Sequence, residues 1–565
     1  MTRWKRSSTR RPERDRQNAT GSGGKGRTAG RAKSRATVVV DEYDGLILLR
    51  ASATAPPRPD GVAELARFLT ADEAARDVFT IVVGADGAGA ELWARLVTVL
   101  DSLCERGVST VRLALSGAGG ERPDRPAMAQ RIADAWRIEV IAPDGGVVIV
   151  PGGSLFALGT DPPECGWRSF RPDGKPRPLG PRSPAPFWQP ALARLPGRTA
   201  RDWVVEQVPA GVLLRPAGAP RARAGDLCYA VPVDDDHPTV LVGGSESRDG
   251  ADLPAEDLAA LLAALPAITR SAVRLAPCGP ADLLPVGQDT AELLGAEVEV
   301  LTGLPLVVGA GAEPEVRPVL IGADAEPTWV PFVESVACRP YGADGLDRVA
   351  EPRLVRWRSP VDGAARTESG AVPLSDRWQV SVTRSGLVVG PRGEPPALAG
   401  RPVSPEQMAI EVNLRSAPAD DTLFTDLSRV LNELGTGASQ FVALHRVLSP
   451  NHSADEDFRL LRLAIEHGVS LAEPPHAEPL PEPASPTVRT VATPHTRPPT
   501  PPTPEHPREP GVTAPAAEGH RAPATEHPRH ERTPPPPPMP PAPAPSVRPT
   551  PPPPPRPAAP SWPSP

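Results

Sequence analysis

Several short stretches of this 565-residue chain have residue types that chemistry could use. Gly84-Ala-Asp-Gly-Ala-Gly89 follows an apolar run, Phe79-Thr-Ile-Val-Val83, and precedes a helical pattern. A glycine-rich turn in that place can offer the free amides of a helix N-terminus to a phosphate. Its spacing is not G-x-G-x-x-G, however, and it lacks the Lys that a P-loop needs. Ser154, in Pro151-Gly-Gly-Ser-Leu155, and Ser116, in Leu115-Ser-Gly117, stand where strands end, yet neither forms G-x-S-x-G. All ten histidines lie at or beyond His237, and six of them (His476, His495, His506, His520, His527, His530) fall in the last 93 residues. A Ser-His or Cys-His pair is therefore ruled out within the first folded segment.

The carboxylates are no more specific. Asp234-Asp-Asp236 followed by His237 could hold a cation, but spacing places no further ligand and a solvated loop is expected. Glu297-x-Glu299 puts two carboxylates on one face of a strand. ADP-ribosyltransferases set such a pair beside NAD, but they also need a Ser-Thr-Ser that does not occur here. The five cysteines (Cys104, Cys165, Cys228, Cys278, Cys338) are scattered and never spaced as C-x-x-C, so reduced core thiols are expected rather than disulfides or zinc. These readings assign no catalytic residue, no metal ligand and no cofactor, leave cofactor-binding residues unknown, and lean away from an enzyme.

The elements that would position these residues recur. Thr37 to Val40 and Gly45 to Leu49 flank the acidic stretch Asp41 to Asp44 as a short hairpin. The run Phe79 to Val83, a helix over Glu91 to Arg106, the strand Thr110 to Leu115, a helix over Ala127 to Trp136 and the strands Ile138 to Ile141 and Val147 to Val150 follow. The same syntax returns at Trp203 to Val205, Gly211 to Leu214, Thr239 to Val242, Leu258 to Leu265, Val273 to Ala276, Asp289 to Leu294, Val298 to Leu301 and Leu306 to Val308. Val273-Arg-Leu-Ala276 repeats Val111-Arg-Leu-Ala114 letter for letter. A third, shorter copy is read at Gln379 to Thr383, Gly386 to Val389, Ala409 to Leu414, Leu423 to Leu434, Phe441 to Leu444, Phe458 to Glu466 and Val469 to Leu471. Gly45, Gly211 and Gly386 are 166 and 175 residues apart, a period too long for a solenoid.

The expected fold class is α/β, built as tandem duplicated domains of hairpin-β-α-β-α-β type. Boundaries follow: a disordered basic arm over 1–36, repeat 1 over 37–198, repeat 2 over 199–360, a linker over 361–376, a shortened repeat 3 over 377–472 and a disordered Pro-rich tail over 473–565. Trp203 and Trp378 open hairpins, while Trp188 and Trp329 lie in Pro-flanked exits. Each is expected to pack a peripheral segment onto its own sheet.

Charge and composition bound the partners. Residues 1–36 carry twelve Lys/Arg against Glu13 and Asp15, a net +10 on a chain whose total is −7. Such an arm suits a solubilising terminus or weak, non-specific contact with nucleic acid. The tail, with Pro534 to Pro538 and Pro551 to Pro555, has too little apolar surface to order itself and suits protein partners that read polyproline II. No apolar run spans a membrane and no signal peptide is visible, so a cytoplasmic location is the default, with export by a dedicated secretion system left open.

Tandem repeats with motifs such as Val273-Arg-Leu-Ala-Pro-Cys-Gly279 and Val298-Glu-Val-Leu-Thr-Gly303, together with the Pro-rich tail, resemble the N-terminal portions of actinobacterial polymorphic-toxin-type proteins. The resemblance covers the organisation of residues 36–565. It implies a targeting portion ahead of a variable effector, and the residues up to Pro565 still read as linker. The expected function is a non-catalytic scaffold or interaction protein. Two alternatives are a small-ligand-binding protein or enzyme using strand-end loops of repeat 2, and nucleic-acid association through the arm. If the arm binds nucleic acid, fluorescence anisotropy with a short duplex should show affinity that falls steeply with added salt and vanishes when residues 1–36 are removed.

Overall fold

Strands as apolar as Phe79 to Val83 cannot face water on either side, so a sheet made from them needs cover on both faces. The computed structural model describes residues 38–43, 45–51, 65–66, 69, 78–84, 89–121, 124–159, 166–244, 253–309, 315–343, 351–363, 367–394, 398, 400–447 and 454–472. The basic arm and the Pro-rich tail lie outside them, as do residues 85–88 and 245–247 of the two glycine-containing turns. It is a mixed α/β architecture of three main sheets within one compact body.

In the first sheet, β1 (Val38–Tyr43) and β2 (Leu46–Ala51) form an antiparallel hairpin. Asp41 to Tyr43, read above as a turn, pair instead with Leu48 to Leu46 and lengthen the strands. β3 (Val78–Gly84), β4 (Thr110–Ala114) and β5 (Glu139–Pro143) add in parallel through the helices α1 (Gly89–Glu105) and α2 (Met128–Trp136). Leu96, Val99, Leu100 and Leu103 of α1, three and four residues apart, bury against Ile47, Ile81, Val111 and Leu113. β6 (Gly146–Ile149) and β7 (Leu155–Leu158) then leave the sheet, and β8 (Trp167–Phe170) and β9 (Arg177–Gly180) rejoin it antiparallel. β10 (Arg182–Ser183) pairs with β7, making a small three-stranded sheet. The short helix α3 (Gln189–Leu192) closes the segment. The main order is β1-β2-β3-β4-β5-β8-β9.

The second sheet has the same order. Its strands are β11 (Trp203–Val208), β12 (Gly211–Pro216), β13 (Thr239–Val242), β14 (Arg274–Pro277) and β15 (Val298–Leu301). The helices are α4 (Ala255–Ala263), α5 (Ala267–Ala272) and α6 (Leu284–Leu294). α6 begins five residues before the expected Asp289, because Pro285 suits a first helical turn, and it ends on the left-handed Gly295. β16 (Leu304–Val308) and β17 (Glu315–Val319) make the small sheet, and β18 (Val333–Cys338) and β19 (Arg353–Trp357) complete the main one as β11-β12-β13-β14-β15-β18-β19. The exits read as Pro-rich loops thus supply two antiparallel strands to each sheet.

In the third sheet an extra edge strand, β20 (Ala371–Pro373), comes from the stretch read as a linker. β21 (Trp378–Thr383), β22 (Gly386–Pro391), β23 (Met408–Asn413), β24 (Val442–Val447) and β25 (Ser470–Ala472) follow, with α7 (Asp421–Ser439) and α8 (Ala454–His467) between the parallel strands. Among the described residues nothing pairs with the outer side of β25. Phe458, Leu461 and Ile465 form an exposed apolar stripe on α8. Asp420 caps α7 by accepting from the Leu423 amide, and it also accepts from Trp378 Nε1 and Thr422. Burial opposes its charge, but these bonds and Arg377 outweigh it and hold its pKa at about 2.

The hairpin glycines have a steric cause. A Cβ on Gly211 would lie 2.1 Å from the carbonyl oxygen of Thr239, and one on Gly386 would lie 2.0 Å from that of Ala409. The next parallel strand crosses directly over the turn, so only glycine fits.

The junctions between sheets rest on buried cations. Arg182, fully buried, donates to the carbonyls of Val208, Pro209 and Gly211 in the second hairpin turn and lies 4.6 Å from the centre of the Trp188 ring. Burial pushes its pKa down to about 9, so it stays charged at neutral pH. Trp188 donates to the Asp234 carbonyl and packs among second-sheet side chains. Trp329 donates to Ser404, in the third segment. Trp188 therefore packs on the next sheet and not on its own, while Trp329 lies in a cluster that joins the second and third sheets and reaches forward through its ring nitrogen. Arg384, in the third hairpin turn, forms a two-pronged ion pair with Asp282, 2.5 and 3.0 Å. Burial would raise the Asp282 pKa, but Arg384 outweighs it and holds it below its ordinary value. Asp282→Ala should cost about 3–5 kcal/mol in urea unfolding by stranding a buried guanidinium, and adding Arg384→Met should recover much of it.

Candidate functional site

On a two-faced sheet, side chains alternate, so the third sheet's second face can be read off every other residue. Val380, Val382, Leu387, Val389, Ile410, Val412 and Leu444 belong to the apolar core. Between them stand Gln379, Ser381, Val388, Glu411, Asn413 and His445. Register aligns Ser381, Val388, Glu411 and His445 as one row across four strands.

The same row in the second sheet is Leu213, Leu241 and Ala276, and in the first it is Leu48, Val82 and Ala114. There the small sheets supply cover: Leu304, Leu306 and Val319 over the second, Leu155 and Ala157 over the first. The third sheet has no such cover among the described residues, and the row has become polar. Among the described residues the connection from β22 to β23 lies over it, bringing Arg401 to within 2.7 Å of Glu411.

What results is a cavity of about 300 Å³ over Val388 and Gly390, whose missing side chain deepens the floor. Gln379 is tied to the overlying loop, donating to the Glu394 carbonyl at 2.8 Å and accepting from the Gly393 amide at 3.2 Å. Glu394 accepts from Asn413 at 3.3 Å and from Ser416. Thr383 and Ser385 share a hydrogen bond at 3.3 Å.

Beside the cavity, His445 is 4% exposed, and neither ring nitrogen has a hydrogen-bond partner among the described residues. Leaving such a group buried and unbonded costs about 1–3 kcal/mol. Burial first, and then the Arg401 charge, push its pKa below 6.5, while Glu411 opposes them. The cavity lining can thus offer hydroxyls, amides, carboxylates and guanidiniums to a small polar molecule.

The residues singled out in the sequence lie elsewhere and are engaged structurally. Asp234 accepts from the Asp236 and His237 amides and pairs with Arg274 at 2.7 Å. Glu297 pairs with Arg353 at 2.8 Å, and Glu299 lies 3.4 Å from Arg274 and 3.5 Å from Arg356, so the E-x-E carboxylates are held by arginines of β14 and β19. Ser154 is buried. Cys104, Cys228, Cys278 and Cys338 are free thiols, and Cys165 lies outside the described residues. A hydrogen bond with Cys278, then burial, raises the Cys228 pKa; burial pushes Cys338 up to about 12. Neither is an activated nucleophile. Among the described residues, no cluster of three or more His, Cys, Asp or Glu is placed to hold a metal, and no helix is long and apolar enough to cross a membrane.

Sequence reasoning missed Glu411 and His445. The signal was there: a charged residue at the register position where the second sheet has Leu241, and a histidine where it has Ala276. The chain matches no protein-family model and no curated protein.

A buried histidine with a lowered pKa must lose a proton on folding, so its contribution is full above about pH 6.5 and erodes as pH falls from there towards its folded pKa. The drop in melting temperature between pH 7.5 and pH 5 should be smaller in His445→Leu than in the wild-type chain, as read by circular dichroism.

Proposed function

We propose that the chain is a non-catalytic scaffold: a row of α/β sheets that holds interaction segments in fixed register. The observation that carries this reading is the pair of buried junctions. Arg182 is committed to the carbonyls of the next hairpin, and Arg384 to Asp282 of the preceding sheet. Buried cations held by several hydrogen bonds specify one arrangement more than they add stability, and a fixed arrangement is what a platform needs. The sequence of residues 473–565 supports the protein-partner side of the reading, since runs such as Pro534 to Pro538 suit aromatic-lined grooves. So does the exposed stripe Phe458, Leu461 and Ile465, apolar surface of the kind that proteins bury on one another. In the wider setting implied by the resemblance to polymorphic-toxin-type proteins, this would be a targeting portion. What supports that is the organisation of repeats ahead of a Pro-rich segment.

Surface plasmon resonance against a panel of SH3 and WW domains tests the proposal. The full chain should bind at least one member, and truncation after Ala472 should abolish that binding while the melting temperature of the body is kept. If the full chain bound none of them, or the truncated chain bound equally well, a proline-displaying scaffold would be the wrong reading.

A further inference from the structure

From the cavity on the third sheet we infer a binding site for a small zwitterion of the α-amino acid type. Two observations point there independently. The first is uncompensated charge. Glu394 and Arg415 both line the cavity, and neither has an oppositely charged partner among the described residues. The Glu394 carboxylate accepts only neutral donors, Asn413 and Ser416, and the Arg415 backbone amide is fixed by Asn413 at 3.2 Å. Asn413 thus donates to the Glu394 carboxylate and accepts from the Arg415 backbone amide, which keeps both residues on one rim without a charge pair between them. A ligand carrying both signs satisfies both: its ammonium to Glu394, its carboxylate to the fork of Arg415.

The second observation is the burial of polar side chains on the same face. If the third sheet's face were polar only because it lacks a cover, its polar groups would be solvated. Ser381, Thr383 and Ser385 are instead 2, 5 and 5% exposed, and His445 is 4% exposed with both nitrogens unpartnered. The Arg401–Glu411 pair, close to His445, adds a neutral two-signed wall. Ser381, Thr383, Ser385, Arg401 and Glu411 line the cavity and would meet the polar side chain of a ligand whose two charges are held at the rim. A cavity of about 300 Å³ has room for a single amino acid and excludes a folded partner. The equivalent faces of the first two sheets are filled by Leu155 and Ala157 and by Leu304 and Leu306, so the site is particular to the third.

Calorimetric titration and thermal shift of the full 565-residue chain test this, using free α-amino acids at millimolar concentration. Monocarboxylates and primary amines with matching side chains serve as comparators. At least one amino acid with a polar side chain should bind saturably and raise the melting temperature, with both comparators at least about tenfold weaker. Arg415→Met and Glu394→Gln should each weaken binding at least about tenfold, the worth of one charge-assisted contact, and leave the ligand-free melting temperature unchanged. The inference fails if no amino acid in the panel binds. It fails equally if a simple carboxylate or amine binds as tightly as the zwitterion, or if both variants bind like the wild-type chain.

Discussion

A largely parallel sheet has to be covered on both faces, and that requirement organises this molecule. Helices take one face in all three sheets. The other receives the connection that follows the hairpin, carrying Cys228 and Tyr229 in the second sheet and Arg401 in the third. That connection is too short to shield a whole face. In the first two sheets the chain makes good the shortfall with a small antiparallel sheet, whose leucines and alanines meet leucines, valines and alanines below. In the third the shortfall remains, and the residues beneath it change from Leu241 and Ala276 to Glu411 and His445. Fold and candidate site thus share one cause.

Much of the skeleton was legible in the sequence because strands buried on both faces are continuous apolar runs and the helices carry apolar residues at three- and four-residue steps. The exits were not legible. Arg177-Pro-Leu-Gly180 and Glu315-Val-Arg-Pro-Val319 hold prolines, which argue against a central strand, but β9 and β17 are edge strands, where a missing amide is tolerated. The tryptophans were readable as buried, since their area leaves little choice, but their destinations depended on how neighbouring segments meet. Glu411 and His445 were hidden by a different ambiguity. In Met408-Ala-Ile-Glu-Val-Asn413 the alternation of a half-polar strand is plain, yet comparison with its apolar counterparts draws the eye to the shared residues.

The charged groups show how far residue type alone misleads. Asp234, Glu297 and Glu299 have the look of a site, and each is paired with an arginine from the same sheet. Glu394 and Arg415 have no motif around them, yet they line the cavity and neither has an oppositely charged partner among the described residues. The distinction is one of pairing in space, which spacing along the chain does not encode.

The junctions give the row a direction. Arg182 and Trp188 belong to the first exit, but the groups that accept their hydrogen bonds are the carbonyls of the second hairpin and of the loop after it; Trp329 repeats the forward reach. An exit is therefore an adaptor shaped to its successor rather than a part of the sheet it follows. The sheets are not interchangeable beads: permuting them would place Arg182 against a turn whose own arginine, Arg384, faces it. The order of segments is thus written into buried hydrogen bonds, and exchanging one segment for another would be penalised at the seams even where the strands themselves could substitute for one another.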